Sequence, residues 1–233
     1  MDEVSFTVPA GGSLGIVGGS GSGKTTTARI LAGLERPDAG EVLVDGLTRA
    51  PAVRGRTARR HRARQVQLVF QDPLLSLDPR IPAGEVLRET LRLHFPDRAA
   101  GPRVRELPDQ VGLGTREAAS RPRELSGGQR QRVAIARALA VEPKVLVLDE
   151  AVAALDVSVQ AQILNLLTEI RASTTAAYVF ITHDLGVARV ATDTLLVMGS
   201  GHVLERGPTA TVLTTPTHPY TAHLLACLPR PRG

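Results

Sequence analysis

The chain predicts an α/β fold with a mostly parallel sheet. Three observations carry this: short apolar runs alternate with helical stretches, several runs end directly on a polar residue, and one feeds a glycine-rich loop that opens a helix. In such sheets ligands sit at the carboxyl ends of the strands. Leu14–Val17 is a buried strand ending in Gly18–Thr25, GGSGSGKT. Thr25–Leu34 is a helix, closed by Gly33 and stopped by Pro37. Glu41–Asp45 alternates like a strand, with Asp45-Gly46 as its turn. Val66–Phe70 is a strand that delivers Gln71, after which Pro73, Pro79 and Pro82 forbid regular structure until the helix Gly84–His94. Residues 95–123 are rich in Pro, Gly and Arg, with short helical pieces. Gly127–Ala140 is a helix, and Val145–Leu148 is an apolar strand ending in Asp149-Glu150. Val157–Ala172 is an amphipathic helix with Ile163, Leu166, Leu167 and Ile170 at helical spacing. Ala177–Thr182 is a strand followed by His183. One edge of one sheet can therefore present Gln71, Asp149 and His183 beside the glycine loop.

Composition sets the bounds. A length of 233 residues suits one domain, and 42% hydrophobic residues with 22% charged ones can form a packed core. The single Cys227 excludes a disulfide framework and a cysteine-held iron–sulfur cluster, and fits a reducing compartment. No apolar run approaches the ~20 residues that span a bilayer. Met1–Pro9 is acidic and then strand-like, unlike a signal peptide. No internal repeat, long linker or low-complexity tract is present. Net charge is +5, and Lys24 and Lys144 are the only lysines, so the basic side is nearly all arginine. The densest run, Arg54–Arg64, lacks interleaved aromatics and reads as a solvated connector rather than a nucleic-acid patch.

The glycine loop carries the chemistry. Gly18, Gly19, Ser20, Gly21, Ser22, Gly23, Lys24, Thr25 and Thr26 fit a phosphate-wrapping loop. Its glycines let backbone N–H groups face phosphates, Lys24 reaches the β- and γ-phosphates of a nucleotide, and the Thr25 hydroxyl holds Mg²⁺. The helix N-terminus adds positive potential. Asp149, at a strand end, can hold the metal, while Glu150 polarises or deprotonates an attacking water. Gln71 can contact the metal or that water. His183 can donate to a γ-phosphate oxygen or orient water, although a lone histidine after a strand is more often structural. Ser126, Gly127, Gly128 and Gln129 open a second helix. A serine cap alone explains Ser126, but a glycine pair lowers helix stability, and close approach of backbone to a ligand accounts for that cost. Two phosphate-binding helix ends in one domain suggest a head-to-tail pair of subunits, with Lys24 of one and Ser126 of the other on each γ-phosphate.

These motifs together resemble the ATP-binding subunit of an ABC transporter, over about Val4 to Pro231. The order is GGSGSGKTT at 18–26, FQDP at 70–73, LSGGQRQR at 125–132, VLVLDE at 145–150, LD at 155–156 and THD at 182–184. The resemblance makes these the phosphate loop, Gln loop, signature, Walker B segment, D-loop (with Asp156) and His switch. It implies a P-loop NTPase with a RecA-like core at approximately 1–71 and 127–233, a small antiparallel β part and an α-helical subdomain near 72–126. It also implies a dimer sandwiching two ATP molecules with Mg²⁺. FQDPLLSLDPR at 70–80, LDVSVQAQILNLL at 155–167 and HPYTAHLLACLPRP at 218–231 are similar to the oligopeptide, dipeptide and nickel importer branch, in wording closest to its second ATPase. The implied partners are membrane-spanning permeases, a sister ATPase (the same chain or a different one) and, indirectly, a solute-binding protein, with no nucleic acid. The implied location is the cytoplasmic face of the membrane. Segment 72–93 would hold the groove for a permease coupling helix.

The chain departs from that pattern in two places. Ala151 and Ala153 stand where relatives carry proline and serine, which implies weaker communication through the D-loop. Relatives carry roughly one more strand at the start, with an aromatic that stacks on adenine. Phe6 is the only aromatic before Lys24 and is expected in the following strand, so adenine stacking is expected to be missing. Two other readings stand beside this one: these departures motivate a degenerate subunit that binds nucleotide with little hydrolysis, and the arginine excess motivates a soluble ATPase of the same type acting on nucleic acid or ribosomes.

Overall fold

A computed structural model of the chain describes residues 1–49, 54–97 and 100–227. Strand β1 (Ser13–Gly18) leads through the glycine loop into helix α1 (Lys24–Ala32). Gly33 ends α1 in the left-handed conformation, its N–H returning to the Arg29 and Ile30 carbonyls, as glycine after a helix does. A hairpin follows, β2 (Leu43–Val44) and β3 (Leu47–Thr48). Its turn holds Asp45 and Gly46 at φ of 51° and 73°, the mirror-image turn that suits strand twist. The strand expected over Glu41–Asp45 is therefore shorter, because Asp45 is consumed by the turn. Helix α2 (Arg56–Gln65) runs directly into β4 (Val66–Val69).

After a 3-10 turn at Pro73–Leu75 come α3 (Ala83–His94), α4 (Ala100–Gln110), α5 (Thr115–Ala119), a second 3-10 turn at Pro122–Glu124, and α6 (Gly127–Leu139). The chain then alternates as β5 (Val145–Asp149), α7 (Val157–Ala172), β6 (Ala177–Thr182), α8 (Leu185–Ala191) and β7 (Thr194–Gly199). It closes with β8 (His202–Pro208), α9 (Thr209–Thr214) and α10 (Pro219–Ala226).

The main sheet has the order β4-β5-β6-β1-β7-β8, parallel except where β8 returns antiparallel beside β7. β2 and β3 form the separate antiparallel pair. The central strands are buried on both faces, which is why they read as continuous apolar runs. Their alternation divides the core. On β6, Tyr178 and Phe180 face the α6–α7 side, where Leu87, Leu107, Ile135 and Ile163 also pack. Val179 and Ile181 face the opposite layer with Leu14, Ile16, Ala28 and Val44. A smaller cluster of Val17, Leu195, Val197 and Val212 seats α8, α9 and α10.

Two expectations are corrected. Met1–Pro9 forms no strand: Val4, Phe6 and Val8 alternate inward against the core, but no ladder pairs them. Most of Arg54–Arg64 is helix α2, which has no buried residue. Its arginines and alanines are strong helix formers, and Arg62 and Arg64 in the last turn suit the helix dipole. The Arg64 guanidinium lies 4.7 Å from the centre of the Phe95 ring. The quoted similarity at 218–231 runs past residue 227, and its last four residues lie outside the described ones.

Candidate phosphate and carboxylate site

β1 is the central strand from which the glycine loop leaves the sheet. A Cβ at Gly18 would run into the Met198 carbonyl, and Gly23 has φ of 100°, a conformation that disfavours any side chain. Lys24 is the first residue of α1 and only 7% exposed. Its ammonium donates to the carbonyls of Gly18 (2.9 Å) and Gly19 (2.8 Å) and, more loosely, to the Ser22 hydroxyl at 3.4 Å. Burial lowers the Lys24 pKa, and the Glu150 and Asp149 carboxylates oppose that. Thr25 and Thr26 are exposed on the first turn of α1, where backbone N–H groups lack intrahelical acceptors. The first turn carries no acidic residue, so nothing there repels an anion.

Two strands away, β5 ends on Asp149, which is 8% exposed. Its Oδ1 is buried with no hydrogen-bond partner. Desolvation and then the neighbouring Glu150 raise its pKa, while Arg29 and Lys24 pull it down. An orphaned carboxylate oxygen beside a buried lysine fits a ligand position for a divalent cation such as Mg²⁺.

Glu150 adopts a left-handed backbone (φ 49°), and its N–H donates to the Ile181 carbonyl of β6 at 2.8 Å. A non-glycine residue held there costs about 1–2 kcal/mol. Its carboxyl Oε1 lies 3.2 Å from Nδ1 of His183, the residue that follows β6. Gln71 follows β4 at the same sheet edge but is exposed and makes no hydrogen bond to Lys24, Asp149, Glu150 or His183 among the described residues. Gln131 of α6 donates to the carbonyl of Phe70, directly before it, at 3.4 Å.

Ser126 caps α6. Its hydroxyl accepts from Gln129 N–H (3.2 Å), and the Gln129 side-chain oxygen accepts from Ser126 N–H (2.8 Å). The plain capping role is therefore present within the chain. At Gly128 helix packing, not a ligand as expected from the sequence, demands the glycine: a Cβ there would sit 2.5 Å from Val159 Cγ1 of α7. Gly127 has nothing closer than Leu155 at 3.6 Å, and packing does not require it. Asp156 occupies the cap position of α7 yet makes no capping hydrogen bond, and the next residue, Val157, is 84% exposed. Phe6 packs on the core.

Two features escaped the motif reading. No motif marks residues 185–217, which carry β7 and β8, although TLLVMG is an apolar run followed by Ser-Gly. Tyr220, quoted only within HPYT, places its hydroxyl 2.9 Å from Gly19 N–H.

The family model described as "ABC transporter" matches residues 1–153. The oligopeptide transport ATP-binding protein OppD of Mycobacterium tuberculosis is 44% identical over 232 residues, covering 99% of this chain and 38% of that protein. A putative peptide import ATP-binding protein of Brucella abortus is 44% identical over 236 residues, covering all of this chain and 70% of that protein. The glutathione import ATP-binding protein GsiA of Escherichia coli is 44% identical, with 98% and 37% covered. The chain thus spans well under half of the mycobacterial and E. coli relatives. Among solved structures, CbiO1 of Clostridium perfringens, part of the CbiONQ complex, superposes with TM-score 0.80 at 29% identity, covering 91% of this chain and 83% of that one. The ATP-binding cassette MJ0796, a post-hydrolysis dimer with ADP and Pi, gives 0.76 at 30%, with 88% of each covered.

Proposed function

The chain belongs to the ABC transporter family, and on that premise we propose that it is the ATP-binding and hydrolysing subunit of an importer for peptides or related small solutes, including metal chelates. The observation that carries the proposal is the meeting of Lys24, Asp149, Glu150 and His183 at the carboxyl ends of three neighbouring strands, β5, β6 and β1. Gly18–Thr26 wrap the phosphates of ATP, the backbone N–H groups beyond Gly19 facing them, and Lys24 exchanges its carbonyl partners for phosphate oxygens. Thr25, Asp149 and Gln71 supply the oxygens for Mg²⁺. Bound there, that ion would offset the charge of the phosphate oxygens. Glu150 takes the proton of the water whose oxygen attacks the γ-phosphorus as the bond to the β-bridging oxygen breaks. His183, oriented by Glu150, faces the γ-phosphate.

Asp156, whose side chain makes no capping bond, and the exposed Val157 beside it favour a second cassette on that face. Ser126, Gly127, Gly128 and Gln129 then approach the neighbour's nucleotide. The helices between 72 and 126 form the lobe that meets the permease. No helix among the described residues is long and apolar enough to cross a membrane. The import relatives favour permease subunits that would hold this chain at the cytoplasmic face. The names of the relatives support import over the nucleic-acid reading.

The test is Glu150→Gln. ATP affinity should stay within about 3-fold while turnover in the permease complex falls about 10²–10⁴-fold. An unchanged rate would sink the catalytic assignment and favour the subunit that binds without hydrolysing.

A further inference from the structure

We propose that Tyr220 is a positioning residue of the phosphate loop, fixing the Gly18–Gly19 peptide from a helix 201 positions away in the chain. This rests on the ATP-binding reading above. The Gly19 N–H donates to the Tyr220 hydroxyl at 2.9 Å, while the Gly18 carbonyl of the same peptide unit accepts from Lys24 at 2.9 Å. One peptide plane is thus held at both ends. It lies between two glycines, where rotation meets little steric resistance. Turned over, it would aim a carbonyl where Gly19 N–H now points and would remove a seat of Lys24.

The tyrosine is itself held. Its ring lies over Gly199, where a Cβ would come within 3.8 Å of Cε1, and it packs on the Val17–Leu195 cluster. Its own N–H donates to Nδ1 of His218, the cap of α10, and Pro219 fixes the first helical residue. Glu205 of β8 clamps the approach to that helix. One carboxylate oxygen accepts from Thr217 N–H (2.8 Å) and the Thr217 hydroxyl (3.0 Å), and the other accepts from His218 N–H (3.1 Å). A Cβ at Gly19 would stand 3.0 Å from the Tyr220 hydroxyl, so the contact itself favours glycine at that loop position.

The arrangement matters when phosphate competes for Lys24. As the ammonium leaves the Gly18 and Gly19 carbonyls, Tyr220 remains the side chain holding that peptide, keeping the loop N–H groups aimed at the incoming oxygens. The HPYT segment therefore serves nucleotide affinity as well as packing.

Tyr220→Phe removes one oxygen and keeps the ring. The Kd for Mg-ATP by calorimetry and the KM for ATP should rise about 2- to 10-fold, the loss of one net hydrogen bond, with kcat and the melting temperature nearly unchanged. A variant with unchanged Kd and KM, or one that loses kcat and melting temperature while KM holds, overturns the proposal and leaves Tyr220 a packing residue. Lys24→Ala serves as the reference for lost binding. A parent chain that binds no Mg-ATP overturns the nucleotide reading itself, which is a separate outcome from a parent that binds and a Tyr220→Phe that matches it.

Discussion

Lys24 and Asp149 are oppositely charged, both nearly buried, and both destabilised as ions by that burial. Their consequences can be separated. Lys24→Met should lower the melting temperature slightly: it keeps the stem volume and removes a desolvated ammonium, but strands the Gly18 and Gly19 carbonyls that the ammonium bonds. It should weaken Mg-ATP binding about 10²-fold, because charge-assisted phosphate contacts contribute roughly 1.5–3 kcal/mol each. Thermal melting and calorimetry on one preparation check both halves. Asp149 has its pKa raised in the fold, so its contribution is fully present below the ordinary carboxylate range and is lost as pH rises through the folded value. Asp149→Asn should therefore raise the melting temperature at neutral pH while abolishing the Mg²⁺ dependence of nucleotide binding, measured with Mg²⁺ against chelator. Both side chains were legible in the string, because a phosphate loop and an acidic strand end are local patterns. Their coupling was not, since it depends on β1 and β5 flanking β6 in the sheet.

At the scale of elements, the α6–α7 packing separates two glycines that look equivalent in LSGGQ. Gly128→Ala should destabilise by about 1–3 kcal/mol through overpacking against Val159. Gly127→Ala should melt like the parent, yet lower ATPase activity if its helix tip meets a neighbour's nucleotide. Chemical denaturation and turnover in the permease complex distinguish these outcomes. Helix α2 carries a different lesson. Charge made Arg54–Arg64 look like a connector, but arginine and alanine are good helix formers, and all of it from Arg56 onward lies in a surface helix with no buried residue. The expected strand near Phe6 failed for the opposite reason. Its inward alternation is real, but a strand also needs a ladder partner, and pairing is decided by the rest of the fold.

For the whole molecule, Glu205 ties the C-terminal helix to the sheet. Desolvation pushes its carboxyl up, but the Thr217 and His218 N–H groups and the Thr217 hydroxyl outweigh that and hold it down to about 2. A depressed carboxylate stabilises above its unfolded value of 4.5 and loses that contribution as pH falls toward 2. Acid titration should show Glu205→Gln less stable than the parent at pH 6, with the two curves converging near pH 2. By itself the amino-acid string determined the α/β alternation, the glycine loop, the acidic strand end and the capped α6, since each depends on residues within a few positions of one another. Only the tertiary structure decided that Gly128 answers to Val159, that Glu150 meets His183, and that Tyr220 holds Gly19. Those contacts join distant parts of the chain, and their geometry is set by strand order and helix packing, which no local pattern encodes.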